Sequence, residues 1–160
     1  MTDMLSYLKE MIPKGQRTAV MGVGSVLRCD DGAGMYFIEQ LESRIQLENI
    51  LLIAGSSAPE NFTGVIKDFK PDILFIVDAA FMGLPVGETK VIEKTDIDGM
   101  GFSTHMLPLS VMLSYLALET GCGAVCIGIQ PKNTDQGFEM CGEVRRAAEK
   151  LAVTFAEAIN

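Results

Sequence analysis

Three side chains in this sequence could together hold a divalent transition metal: Asp31, Asp78 and His105, the single histidine of the chain. Two carboxylates and one imidazole are a suitable donor set for such an ion. Asp78 directly follows the apolar run Ile73-Leu74-Phe75-Ile76-Val77. A carboxylate there is expensive to bury unless a metal, a cation or a set of hydrogen bonds compensates it. The structural alternative is an aspartate that caps the loop containing Met82 and Gly83. His105 sits in Ser103-Thr104-His105-Met106-Leu107-Pro108, just ahead of a predicted helix. The positive end of that helix would favour the neutral imidazole, the form that coordinates metals. Taken alone, it would read as an ordinary hydrogen-bonded loop histidine.

Asp31 belongs to Cys29-Asp30-Asp31-Gly32-Ala33-Gly34, shortly after the apolar run Ala19 to Gly24. Aspartate is a favoured N-cap, and a second one complements the helix dipole, so one of the pair is expected to serve the helix. The glycines exceed what capping needs, because they weaken the helix they begin. They point to close approach by another chain or a ligand.

The elements that must position these residues alternate between strand and helix. Met4, Leu5, Leu8, Met11 and Ile12 recur at helical spacing, and Pro13-Lys14-Gly15 ends that helix. Arg17–Val23, Asn49–Ala54, Asp72–Val77 and Ala124–Ile129 read as buried strands, and the charged, alternating Gly87–Lys94 reads as an edge strand. Helices are predicted over Gly32–Ile45, over a short stretch after Pro59, over Leu107–Glu119 and over Gly137–Asn160. Pro59 and Pro108 are tolerable in the first turns of their helices. A loop rich in Asp and Gly, Asp96–Gly101, precedes the histidine. Such alternation indicates an α/β sandwich with a mostly parallel sheet. If the strands ahead of Asp31 and Asp78 are parallel neighbours, both carboxylates emerge at the carboxyl edge, where open α/β sheets place their sites.

The 160 residues, 48% of them hydrophobic, suit one domain spanning 1–160, able to bury roughly 70% of the surface its unfolded form exposes. A net charge of −8 argues against nucleic acid, whose phosphates demand a basic face, and mildly favours a basic peptide. The first residues carry Asp3, Lys9 and Glu10 and show no secretory pattern. No apolar stretch approaches the roughly 20 residues that span a bilayer. The protein is expected to be soluble and cytoplasmic, without membrane contact. Cys29, Cys122, Cys126 and Cys141 make no zinc pattern and read as small buried hydrophobes. Cys29 neighbours the proposed site, where it reads as a spectator thiol. The ten methionines need no role beyond filling the core.

Gly22-Val23-Gly24 after a strand suggests a dinucleotide fingerprint, but Leu27 stands where the third glycine belongs. The adjacent carboxylates would also oppose a pyrophosphate at the helix N-terminus. A nucleotide-dependent oxidoreductase is therefore disfavoured.

Several segments, in order, resemble the [NiFe]-hydrogenase maturation endopeptidases: Gly22-Val23-Gly24-Ser25-Val26-Leu27, Asp30-Asp31-Gly32-Ala33-Gly34, Phe75-Ile76-Val77-Asp78-Ala79-Ala80 and Ser103-Thr104-His105. Gly55-Ser56-Ser57-Ala58-Pro59-Glu60-Asn61 and Gly128-Ile129-Gln130-Pro131 resemble the HycI-like branch, which serves formate-hydrogenlyase-type and related membrane-bound hydrogenases. The resemblance runs from about Arg17 to the end and leaves the N-terminal helix outside it. It departs at Ser25, where the family usually has asparagine; serine can still bond the backbone of the turn.

The resemblance implies a three-layer sandwich: a twisted, mostly parallel five-stranded sheet, helices on both faces and one antiparallel edge strand. It implies an endopeptidase that removes the C-terminal extension of a nickel-loaded large-subunit precursor. Asp31, Asp78 and His105 carry over as the nickel-binding and catalytic residues. Nickel would be presented by the substrate, so the free enzyme, expected to be a monomer, need not carry it. Three protein ligands leave coordination positions open, as a catalytic or recognition site requires. A non-catalytic, nickel-dependent chaperone of the large subunit would use the same three residues, and no motif separates the two.

Overall fold

The computed structural model describes residues 2–93 and 106–160. In chain order the elements are α1 (Met4–Met11), β1 (Thr18–Val23), a 3₁₀ turn (Cys29–Gly32), α2 (Ala33–Glu42), β2 (Ile50–Ser56), a second 3₁₀ turn (Pro59–Phe62), α3 (Thr63–Phe69), β3 (Ile73–Ala79), β4 (Thr89–Ile92), α4 (Met106–Thr120), β5 (Gly123–Ile129) and α5 (Gly142–Ile159). The strands form one sheet in the order β2-β1-β3-β5-β4. Every pairing is parallel except that of β4 with β5, which is antiparallel. The continuous apolar runs are thus the parallel strands covered on both faces, and the charged, alternating one is the edge.

Strand alternation splits the core in two. One layer packs Val20, Phe75 and Val77 of the sheet against α1, α2 and α5 through Leu8, Phe37, Leu41, Leu151 and Phe155. Phe155 contacts Phe37 and Phe75 edge-to-face, with centroids 5.2 and 5.3 Å apart, tying α5 to both helix and sheet. The other layer packs Met21, Leu74 and Ile76 against Ile66 of α3 and Leu109, Met112 and Leu116 of α4. Cys122 and Cys126 are buried in this second layer, while Cys29 and Cys141 are only half-buried.

The last helix begins at Gly142, five residues later than its periodicity predicts. Gly137 has φ +152° and Cys141 is an extended N-cap, so the intervening chain forms a loop that returns over the sheet edge. Helix α2 likewise stops at Glu42 rather than Ile45. Pro108 falls in the first turn of α4, where its missing N–H costs nothing. The predicted Asp96–Gly101 loop and the end of the edge strand at Lys94 lie outside the described residues.

Candidate active site

The strand order reverses beside β1. The chain leaves β1 through α2 to reach β2 on one side, then returns over the other face through α3 to β3 on the opposite side. The carboxyl ends of β1 and β3 therefore flank the crevice at which open α/β folds bind their ligands. Asp31 follows β1 in the first 3₁₀ turn, and Asp78 is the penultimate residue of β3. Both are buried.

Gly24 brings the two together. It has φ +135°, and a Cβ at this position would collide with the carbonyl oxygen of Asp31 and lie 3.5 Å from Oδ1 of Asp78. Only glycine fits a backbone threaded between two acidic residues in this way. The next residue, Ser25, donates its backbone N–H to Oδ2 of Asp31 at 2.8 Å, which fixes that carboxylate against the turn. The hydroxyl of Ser25 accepts the N–H of Leu27 at 3.3 Å, so the serine does bond the turn, by a long contact.

Backbone strain gathers at the same edge. Cys29 and Ser56 adopt left-handed conformations, with φ of +46° and +53°. For non-glycine residues such conformations persist only where the surroundings enforce them. The N–H of Cys29 bonds the carbonyl of Gly137 at 2.8 Å, and the carbonyl of Ser56 accepts the N–H of Gly24 at 2.9 Å. The β1–β2 pairing slips at this point, setting Val23 opposite Ser56.

The adjacent aspartates divide their work. Oδ2 of Asp30 accepts the N–H groups of Lys132 and Asn133 at 2.8 and 3.0 Å, and its Oδ1 accepts that of Cys141 at 2.8 Å. Cys141 is the N-cap of α5. One of the pair does serve a helix start, but the helix is α5, more than a hundred residues away, rather than α2. The glycines have a different partner from the one their pattern suggests. A Cβ on Gly34 would strike the carbonyl oxygens of Val23 and Val77, and one on Gly22 would strike that of Gly34. They admit the protein's own helix onto its own strands, and no second chain or ligand is needed to explain them.

Beyond Asp78, the buried amide of Gln130 accepts the N–H groups of Met82 and Leu84 at 2.7 and 3.2 Å, pinning the loop that follows β3. A polar residue ending the apolar run Ala124–Ile129 is the sequence signal for this role. Burial, together with the negative charge of Asp78, pushes the Cys126 thiol up to about 12, so it stays protonated beneath the site. His105 lies outside the described residues, and among the described residues no group of three His, Cys, Asp or Glu side chains is placed to hold a metal. Nor, among them, is any helix long and apolar enough to cross a membrane.

The family model HycI, described as hydrogenase maturation protease, matches residues 35–158. The chain is 35% identical over 130 residues to the hydrogenase 3 maturation protease of Escherichia coli K12, covering 81% of this chain and 82% of that protein. Among solved structures, the [NiFe] hydrogenase maturation protease HycI from Thermococcus kodakarensis superposes with a TM-score of 0.87 at 32% identity, over 96% of this chain and 99% of that one. The solution structure of the endopeptidase HycI from Escherichia coli gives 0.74 at 31% identity, over 85% and 86% of the two chains. The fold, the acidic crevice and these likenesses agree: the chain is a protease and belongs to the hydrogenase maturation protease family.

Proposed function

We propose that this protein cleaves the C-terminal extension from a [NiFe]-hydrogenase large-subunit precursor, and that Asp31, Asp78 and His105 recognise nickel already seated in that substrate. The observation that carries the reading is the packing of Gly24 between the main chain of Asp31 and the carboxylate of Asp78, which sets two buried acidic residues side by side at the β1/β3 crevice, in a chain of the maturation protease family. The donor chemistry fits. Two carboxylates held by a strand end and a tight turn present anionic oxygen at a fixed spacing, and His105 would add a nitrogen ligand. Nickel brought by the substrate would supply Lewis acidity toward the scissile carbonyl or a water.

The chain's own contribution is preorganisation. Asp31 is oriented by the Ser25 N–H. Asp78 is set by the register of β3 between β1 and β5. Neither needs to be recruited when substrate arrives, which removes the ordering cost from the bound complex. Because the metal belongs to the cargo, the free enzyme has no resident cofactor to load.

The test is cleavage of purified precursor, nickel-loaded and nickel-free, followed by mass spectrometry. The loaded form should lose its C-terminal peptide, and the unloaded form should stay intact. Equal cleavage of both would remove nickel as the recognition element. Maturation of the loaded precursor with no peptide released would favour the chaperone reading instead.

A further inference from the structure

Beside the acidic crevice, and resting on the function proposed above, lies a groove of about 300 Å³ that the chemistry of cleavage does not use. Its near end is the active-site turn itself. A Cβ on Gly32, the residue after Asp31, would lie 3.3 Å from Cα of Val26 and 3.6 Å from the end of Met140, both of which line the groove. Three large apolar side chains stand out of the protein here: Val26 is 55% exposed, Leu27 58% and Phe138 82%. Two backbone bonds hold their segments side by side: the carbonyl of Leu27 accepts the N–H of Gly137, and that of Gly137 accepts the N–H of Cys29. Leaving three such residues in water beside one another forgoes burial that folding could have used, and a patch of this kind marks an interaction site.

The far end of the groove is charged. Met35, Glu39 and Glu42 follow one another along a single face of α2 and line the same wall. Neither Glu39 nor Glu42 forms an ion pair among the described residues, where the single salt bridge joins Lys67 to Glu119. The one cation in the groove, Arg145, is stacked on the Tyr36 ring at 4.8 Å. Two carboxylates against one guanidinium leave this end net negative.

We infer that this groove is the subsite that seats the precursor's C-terminal segment, an extended peptide with an apolar side chain next to the crevice and a basic one farther along. The spacing follows from geometry. Glu42 lies nine residues along α2 from Ala33, about 13 Å at 1.5 Å per residue. An extended chain rises about 3.3 Å per residue, so the basic side chain belongs roughly four positions from the apolar anchor. Continuity with Asp31 and the unpaired acidic wall select the substrate as the occupant over a second copy of this protein, whose net charge of −8 would oppose its own acidic wall.

The experiment compares wild type, Phe138→Ser and the double variant Glu39→Gln/Glu42→Gln. It measures binding of the full-length precursor by calorimetry and the kinetics of peptide release. Phe138→Ser should raise KM and Kd about tenfold while kcat holds, as for loss of an exposed aromatic anchor. The glutamine pair should raise both about threefold at low ionic strength, and the difference from wild type should vanish in high salt. A precursor whose basic residue is neutralised should be insensitive to the glutamine pair.

Unchanged KM and Kd in both variants, with normal cleavage, would overturn the groove and leave the function standing. Weakened binding in both, with no peptide released even by wild type, would support the groove and overturn the function. A wild type that self-associates, and that Phe138→Ser turns monomeric without altering KM, would make the patch a contact between copies and overturn the inference.

Discussion

The two ends of the sheet are built from opposite materials. At the amino end, Arg17 lies 4.1 Å over the Phe69 ring and donates to the Phe69 carbonyl, while its backbone N–H bonds the Asp72 carboxylate. Asn49 closes the same end by donating to the carbonyl of Gln16. Charge is exposed there, answered locally, and spaced by long side chains. At the carboxyl end, acidic groups are buried, glycines bring backbone against backbone, and two non-glycine residues hold left-handed conformations. An end that only joins strands can be made from ordinary contacts. Left-handed backbone alone does not separate the ends, since Lys70 at the amino end, the C-cap of α3, has φ +55°; buried acid and backbone packed against backbone do, and such features cluster at functional sites.

This contrast can be broken most sharply at Asp78. Asp78→Asn keeps the shape and removes the anion, so cleavage of loaded precursor should fall by a factor of about a thousand or more, the scale of losing an electrostatic group from a reaction centre. Circular dichroism melting should show the fold kept. An unfolded variant with normal activity per folded molecule would make Asp78 structural. Its neighbour in type, Asp30, should behave in the opposite way. Asp30→Ala strands three backbone donors, costing about 2–4 kcal/mol in urea unfolding, while activity per folded molecule stays within a few-fold of wild type. Strong loss of cleavage at unchanged stability would erase the division of labour between the two aspartates.

At the amino end, Arg17→Ala should cost about 1 kcal/mol through the lost stacking and carbonyl bonds, with KM and kcat unmoved. The smallest effect concerns Cys126. With its thiol held up to about 12, it should remain unmodified by iodoacetamide at pH 8 in the folded protein, as peptide mapping would show, and react once urea unfolds the chain. Fast labelling of native Cys126 would mean that the layer beneath Asp78 is open to water.

Much of this design can be read from the residues. The apolar runs ahead of Gly24 and Asp78 read as parallel strands because they are short, rich in β-branched residues and alternate with helical segments, and their adjacency puts both acids at one edge. The separate fates of Asp30 and Asp31 cannot be read from the chain, because they depend on partners at Lys132, Asn133 and Cys141, far off in sequence. The purpose of Gly34 is hidden for the same reason: its neighbours are carbonyls of β1 and β3, and a pattern of small residues does not say what they approach. The late start of α5 is a loop effect, since the Asp30 clamp and the left-handed Cys29 hold the preceding residues in an extended path that local periodicity cannot sense. The role of His105 rests on its motif alone, since the residue lies outside those the structure describes.

The contact of Gly22 with Gly34 has a consequence for how this enzyme could diversify. Main chain of helix and strand touches there directly, with only Cβ of Ile38 beside it and no side chain between them to be exchanged for a larger or smaller one. Mutation elsewhere in the core can shift packing by a methyl group at a time, but this joint has no such increments. The spacing between the two acids is thus effectively frozen, whereas the exposed turn at 25–28 and the returning loop at 133–141 have side chains that can change without moving it. The interval between Asp31 and Asp78 is held by a joint that admits no small adjustment, like a fixed gauge fitted with interchangeable jaws.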